Sequence, residues 1–317
     1  MDGGRCPPKV FTKFPPCFQM YPDSKESSNP GNMWQLHYLA CRLKPKLFGG
    51  VVLDYTDQVA PNKILRGSCL LNLYPGGEFS FGGIYTSGKN GKLLQTPTVY
   101  ADINPISMSA TMGFVYFPLS CLLVEAGLQR PPGKEPVEAQ TTVEYRGDCS
   151  TLTFHLENVR KTSVDISASY LRSVFDHLVL GAELFAEWTQ SGGIVPDASI
   201  AARYQQDDFS VASAISSKTI SVSSWLHVHP KVQVGTLFVC EPNLAKTSSF
   251  VFCKWDLCQA YVKAMFNSNQ TFGLIYARAP ANLPVSMAIS MWVNLYTNRF
   301  LLGLKLILDP SDLQRDY

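Results

Sequence analysis

The stretch ISMSATMGFVYFPLSCLLVEAG, Ile106 to Gly127, belongs to a run with no charged side chain that extends from Ile103 to Val124, 22 residues. About 20 apolar residues suffice to cross a bilayer as one helix, so length alone would permit a transmembrane helix. The spacing does not. Ile106, Met108, Ala110, Met112, Phe114 and Tyr116 hold the even positions, while Ser107, Ser109, Thr111 and Gly113 hold the odd ones. Wound into a helix, that period of two would scatter large apolar and small polar side chains over every face. A strand with one apolar and one polar face requires it. Pro118 marks a turn, beyond which Leu122, Val124, Ala126 and Leu128 alternate with Glu125, Gly127 and Gln129. Two antiparallel strands are expected.

The same signal returns from Gly49 to Leu308. SVDISASYL sets Val164, Ile166, Ala168 and Tyr170 against Ser163, Asp165, Ser167 and Ser169. HLVLGAELFAEW sets Leu178, Leu180, Ala182, Leu184, Ala186 and Trp188 against His177, Gly181, Glu183 and Glu187. PVSMAISMWVN and RFLLGLKLIL repeat the pattern, and PGGE, SGKNGK, QRPPGKE, SGG, QQDD, HPK, NSNQ and APANLP separate such segments as turns. About nineteen strands fit, with no helical interruption. The expectation is an all-β fold, a transmembrane antiparallel barrel, because closure removes the unpaired edges of so long a meander. Around nineteen strands enclose a water-filled lumen, so the apolar face looks outward into lipid and the interior is polar.

Composition agrees. Charged residues make up 16% of the 317-residue chain, against about 25% in ordinary soluble proteins. Aromatics reach 12%, and the formal net charge of +2 argues against a nucleic-acid surface. Nine scattered cysteines form no small disulfide framework and fit a reducing compartment. The start, MDGGRCPPKVFTKFPPCF, has neither the apolar core of a secretory signal nor an amphipathic transit helix, so insertion without a cleaved leader is expected.

Four regions follow. Residues 1–30 carry two Pro-Pro pairs and a polar stretch and read as an extended or disordered arm. Residues 31–48 contain Trp34, Leu36, Tyr38, Leu39 and Leu43 before Pro45 and read as a short helix. Residues 49–308 are the barrel, and 309–317 a C-terminal tail.

Motifs of catalysis are missing: the sequence has no phosphate loop, nucleophile elbow or metalloprotease motif, and neither an enzyme nor a cofactor is expected. His227 and His229 share a face in a strand reading but lack a third ligand, and Cys253 with Cys258 has no matching pair, so no metal site is assigned. Asn269-Gln270-Thr271 is a glycosylation sequon expected to be idle. The polar face is more informative. It holds the candidate pore-lining acids Asp54, Glu125, Glu138, Glu144, Glu157, Asp165, Glu183 and Glu187, and the bases Arg66, Arg146, Arg203, Arg299 and Lys305. In a lumen these charges set ion selectivity and hold passing cationic segments.

On these residues the chain resembles the channel-forming subunits of the mitochondrial outer-membrane protein translocase. LHYLACRLKPKLFGGVVLDYTDQV is similar to that family's helix, link and first strand, with Gly49-Gly50 where a Glu is frequent. EFSFGGIYTSG, VEYRGDCSTLTF and LVLGAELFAEW resemble further strands, through Glu144-Tyr145-Arg146-Gly147 and through Gly181, Glu183 and Leu184. NRFLLGLKLIL resembles the closing strand, whose sorting signal would use Gly303, Leu304, Leu306 and Leu308; Leu301 stands where a polar residue is usual. The resemblance implies a nineteen-stranded barrel with the helix in its lumen, in the mitochondrial outer membrane. It implies a cation-preferring pore for mitochondrial precursor proteins, oligomers formed through the barrel wall, and contacts with lipid, a helical receptor subunit and small single-span subunits. The sister family of voltage-dependent anion channels, metabolite porins with the same barrel, is the alternative.

Overall fold

The computed structural model describes residues 29–60, 62–71, 78–86, 97–132, 137–159, 163–190, 192–280 and 285–308. The arm up to residue 28 and the tail at 309–317 lie outside the described residues. The chain first forms a 3₁₀ turn, Met33–Gln35, and a four-residue helix α1, Tyr38–Cys41. Strands follow: β1 (Gly50–Ala60), β2 (Lys63–Leu71), β3 (Glu78–Thr86), β4 (Thr98–Asn104), β5 (Ser109–Leu119) and β6 (Leu122–Arg130). Next come β7 (Glu138–Arg146), β8 (Ser150–Val159), β9 (Ser163–Phe175), β10 (Leu178–Thr189), β11 (Gly193–Gln205) and β12 (Phe209–Ser216). The series ends with β13 (Ile220–His229), β14 (Val232–Glu241), β15 (Lys246–Leu257), β16 (Ala260–Asn267), β17 (Thr271–Arg278), β18 (Ser286–Asn294) and β19 (Arg299–Leu308).

Each strand pairs antiparallel with the next, and β19 closes on β1. A meander with an odd number of strands brings its first and last members together pointing the same way. The closing pair is therefore parallel, Gly50–Tyr55 beside Gly303–Leu308. This is the one departure from a wholly antiparallel barrel, and it leaves no edge unpaired in lipid. Nineteen strands about 4.8 Å apart, tilted about 40°, give a backbone cylinder about 38 Å across. That is too wide for side chains to fill.

The alternation read from the sequence is the alternation of the wall. On β5, Met112, Phe114 and Tyr116 are exposed, while Gly113 and Val115 are buried. On β10, Leu180, Leu184 and Trp188 face outward, and Val179, Gly181, Glu183 and Phe185 face inward. Odd-numbered strands end at one rim, called here the terminal rim because β19 finishes there; even-numbered strands end at the far rim. Outward aromatics gather near both: Tyr85, Tyr145, Tyr204 and Trp255 toward the terminal rim, and Phe79, Trp188, Phe266 and Phe300 toward the far rim. Such paired girdles belong at the two membrane–water interfaces.

Four expectations are corrected. Ile106 and Met108 lie in the turn before β5, with Met108 at a positive φ of 53°. Pro118 lies inside β5, at a register shift between Tyr116 and Leu119, and the turn comes after it. A proline has no N–H to give the ladder and is tolerated at such a bulge. The helix expected over 31–48 is broken in two, because His37 takes φ −98°, ψ 10° ahead of α1, while Asn32 and Gln35 form a capping box around the 3₁₀ turn. Finally, the lumen is not polar throughout: Trp225, Leu237, Val239, Phe250, Phe252 and Met265 all face inward on β13–β16.

The faces can be tested by cysteine labelling in a cysteine-free background. Probes at 184 and 291 should react only with lipid-soluble reagents, and probes at 183 and 199 with aqueous ones. Position 290 should resist both: Ser290 is fully buried, and its hydroxyl accepts the Phe48 N–H at 3.2 Å.

Candidate functional site in the lumen

The inward apolar sector has a cover. The chain starts at the terminal rim, where the Asn29 amide donates to the Gly147 carbonyl at 2.6 Å and the Thr151 hydroxyl donates to the Asn29 side-chain oxygen at 3.0 Å. The Arg203 guanidinium then donates to the Pro30 carbonyl at 2.7 Å, and the Asn32 amide donates to Glu144 Oε2 at 2.9 Å. Met33 and Leu36 pack on Leu171, Val179, Ala201 and Ala212. Leu39, Cys41, Leu43 and Leu47 cover Trp225, Phe250, Phe252 and Met265. Leu47 and Phe48 end on Tyr261, Ile275, Ala288 and Ile307. These contacts run from β7 round to β19.

Wall glycines, Gly235, Gly273 and Gly303 among them, admit the segment. A Cβ on Gly235 would come within 3.2 Å of the Ala40 backbone, and one on Gly303 would collide with the Phe48 carbonyl and ring. Cations on the wall hold the far end of α1. Lys263 Nζ donates to the Arg42 carbonyl at 3.3 Å, where the helix dipole is negative. The Arg42 guanidinium lies 5.4 Å from the Trp225 ring centroid and donates to Gln233 at 3.3 Å.

All eight candidate acids face inward by strand register, but they do different work. Asp54 takes Lys305 at 2.5 Å and the Ser68 hydroxyl at 2.6 Å, bridging the parallel seam. Glu144 is buried under Asn32 and paired with Arg146 at 2.5 Å. These two are structural. The others lie on one sector, β6–β10, in three rows of register partners. One row joins Glu144 through Thr153 and Ser169 to Glu183. The next joins Glu125 through Thr142, His155, Ser167 and Phe185 to Asp197 on β11. The third joins Glu157, Asp165 and Glu187 near the far rim, with Glu138 nearby on β7. Rows two residues apart on a strand are separated by about 7 Å.

Among the candidate bases, Arg146, Arg203 and Lys305 are engaged as described, Arg66 faces Asp102 electrostatically from β2, and Arg299 is exposed where β19 begins. Gly303 points inward, while Leu304, Leu306 and Leu308 point to lipid. Sequence reasoning missed Asp102 and Asp197 on the acidic side, and Lys254 and Lys263 on the opposite one. Asp197 follows Pro196 and was legible only through the parity of Ile194, Ala198 and Ile200. A register shift between His227 and His229 takes the two histidines off a common face, and His227 pairs instead with Asp208 at 3.3 Å. No cluster of His, Cys, Asp or Glu able to hold a metal occurs among the described residues.

A family model described as eukaryotic porin matches residues 29–303, which spans both the lumen segment and the barrel. The chain belongs to the eukaryotic porin family. No curated protein matches it. Among solved structures, a mutant of the Rh. blastica porin is similar at 13% identity and a TM-score of 0.47, covering 76% of this chain and 97% of that one. The outer membrane protein opdK from Pseudomonas aeruginosa is similar at 11% identity and a TM-score of 0.36, covering 80% and 94%. This eukaryotic porin is a channel-type barrel of an outer membrane, with a wall-docked segment on one side of its lumen and a carboxylate-rich wall on another.

The segment of this porin carries one titrating contact. His37 sits between two wall hydroxyls, 2.7 Å from Ser223 Oγ and 3.0 Å from Ser221 Oγ, and burial pushes its pKa down to about 4 from the ordinary value near 6.5. The undocked segment thus binds a proton between pH 6.5 and 4 that the docked one does not, so docking weakens as pH falls through that window. Hydrogen exchange over residues 33–43 should be slow at pH 7.5 and, corrected for intrinsic rates, faster at pH 5. His37→Gln should abolish the difference.

Proposed function

We propose that this porin is the protein-conducting channel through which mitochondrial precursor proteins cross the outer membrane. The observation that carries the reading is the acidic sector of β6–β11: three rows of inward carboxylates, on the wall opposite the cations that hold α1. A precursor with a positively charged targeting helix gains from such a wall, because focused negative potential raises its local concentration and lowers the barrier to entering the lumen. Space supports it as well. From a cylinder about 38 Å across, lining side chains and a segment about 10 Å thick leave room for one more helix or extended chain. On this reading the outward faces serve lipid, further copies of the barrel, and the helical receptor and small single-span subunits.

One observation favours the alternative of a metabolite porin. Arg42 on the docked segment and Lys263 on β16 bring positive charge to this side of the lumen, where Lys254 is paired with Asp256 at 3.0 Å, and such charge would suit anionic metabolites. Planar-bilayer recording with a basic presequence peptide separates the two. The precursor channel should flicker closed as peptide is added, in a voltage-dependent way. A metabolite porin would pass current undisturbed.

A further inference from the structure

The segment that covers the apolar sector has the chemistry of a targeting helix. Residues 31–50 contain no acid, and carry the bases Arg42, Lys44 and Lys46 together with His37. Met33, Leu36, Ala40 and Leu43 are its buried apolar side chains, and Leu47 extends their line onto the wall. Steps of three and four residues are the apolar spacing of one helix face. The stripe persists even though the backbone breaks at His37, and Tyr38 and Lys46 stay exposed on the other side.

The wall beneath makes general demands of what lies on it. Trp225, Leu237, Phe250, Phe252 and Met265 form the seat, with the Phe250 and Phe252 rings stacked at 6.0 Å. Arg42 lies 5.4 Å from the Trp225 centroid and Lys44 5.6 Å from that of Phe250. A ring face accepts either cation, and an apolar wall accepts any apolar stripe that fits it. The tightest polar ties pin the two ends of the segment: Asn29 to Gly147 and Asn32 to Glu144 before the stripe, and the Phe48 N–H to Ser290 after it. Between those ends the wall adds the two serine hydroxyls at His37, Gln233 and Lys263. α1 is four residues long, far short of the ~12–15 that an isolated helix needs. The middle of the segment therefore keeps its form only while seated, and it can lift away with both ends still attached.

We infer that the seat on β13–β16 is the docking site for the apolar face of an incoming basic amphipathic helix, and that residues 36–47 occupy it in cis as a displaceable stand-in. With its apolar face on the rings, such a helix turns its cations across the lumen toward the carboxylates of β6–β11. The two walls then bind the two faces of one ligand. Lys263, which now takes the Arg42 carbonyl at the end of α1, is placed to take the carbonyl end of another helix in the same position. This rests on the precursor-channel reading and deepens it. Acids alone attract any cationic chain, whereas the seat selects one whose apolar residues share a face.

The wall offers a reversible lock for the test. A Cβ on Gly235 would lie 3.4 Å from the Ala40 Cβ, close to the separation of about 3.8 Å across a disulfide. Ala40→Cys with Gly235→Cys, in a cysteine-free background, should therefore tie the segment to its seat when oxidised and release it when reduced. Single channels of the full-length protein are recorded in planar bilayers with three probes: a synthetic copy of residues 31–48, an unrelated basic amphipathic peptide, and a scrambled form of the latter whose apolar residues share no face. In the reduced protein the first two should dwell at least about threefold longer than the scrambled peptide. Oxidation should bring them down to the scrambled value, and dithiothreitol should restore the difference in the same channels, which shows that the barrel has stayed folded. A photo-reactive group on the apolar face of the unrelated peptide should label β13–β16 in the reduced protein and not in the oxidised one. Equal dwell times for amphipathic and scrambled peptides, or a difference that oxidation leaves unchanged, would overturn the seat as a docking site and leave the acidic-wall reading standing. Failure of the disulfide to form would overturn the segment as its occupant. Block by none of the peptides would overturn the precursor-channel reading, and the docking site with it.

Discussion

Gly303→Arg should all but abolish the assembled barrel. Gly303 faces the lumen on β19, opposite Ser290 on β18 and Gly50 on β1, so any side chain there grows into the Phe48 carbonyl and ring. Relief requires Phe48 to leave its place, which breaks its hydrogen bond to Ser290 and uncovers Ile307 and Ala288. Overpacking of this kind costs about 1–3 kcal/mol, and unseating the segment adds the loss of its apolar contacts. The damage falls on the seam, where the chain closes. The fraction of protein that resists protease and migrates as a folded barrel in mild detergent should drop at least tenfold. Leu302→Ala, a lipid-facing change on the same strand, should leave most of it intact. Normal assembly of Gly303→Arg would mean that the docked Phe48 is not part of the folded barrel.

The second large effect concerns charge. Replacing Glu125, Glu157, Asp165, Glu183 and Glu187 together by Gln removes five inward carboxylates that the seam and the segment do not use. The bases on β13–β16 would then dominate the lumen, so selectivity should cross from cation to anion preference, and block by a basic peptide should weaken at least tenfold. The barrel should still fold, because these strands are held by backbone pairing. Asp54 and Glu144 are left in place for the opposite reason. Removing Asp54 strands Lys305 at the seam, and removing Glu144 takes away the buried carboxylate that binds both Arg146 and the Asn32 amide. Unchanged selectivity in the fivefold variant would assign control of the current elsewhere.

The fold was legible because most of the wall has one wet and one lipid face. Strands β5, β9 and β10 alternate for that reason, and counting such segments yields the barrel. The signal fails where a strand is apolar on both faces. SSFVFCKW on β15 puts Phe250 and Phe252 inward under Leu43 and Val251 and Trp255 outward, so the sequence shows a continuous apolar run whose cause, a covering segment, is distant in the chain. The same distance hid the roles of the acids. Parity put Glu144 and Glu183 on the same face, but only the docked segment distinguishes a carboxylate clamped by Asn32 from one open to the lumen. Gly303 likewise reads as a sorting-signal glycine, while its neighbour in space, Phe48, comes from the opposite end of the chain.

The central claim, that open carboxylates on β6–β11 outweigh the cations held by the docked segment, is tested most directly by the reversal potential of the purified full-length protein in a planar bilayer under a tenfold potassium chloride gradient. The account predicts a reversal potential displaced toward the potassium equilibrium potential, reporting cation preference. Displacement toward the chloride equilibrium potential would contradict it.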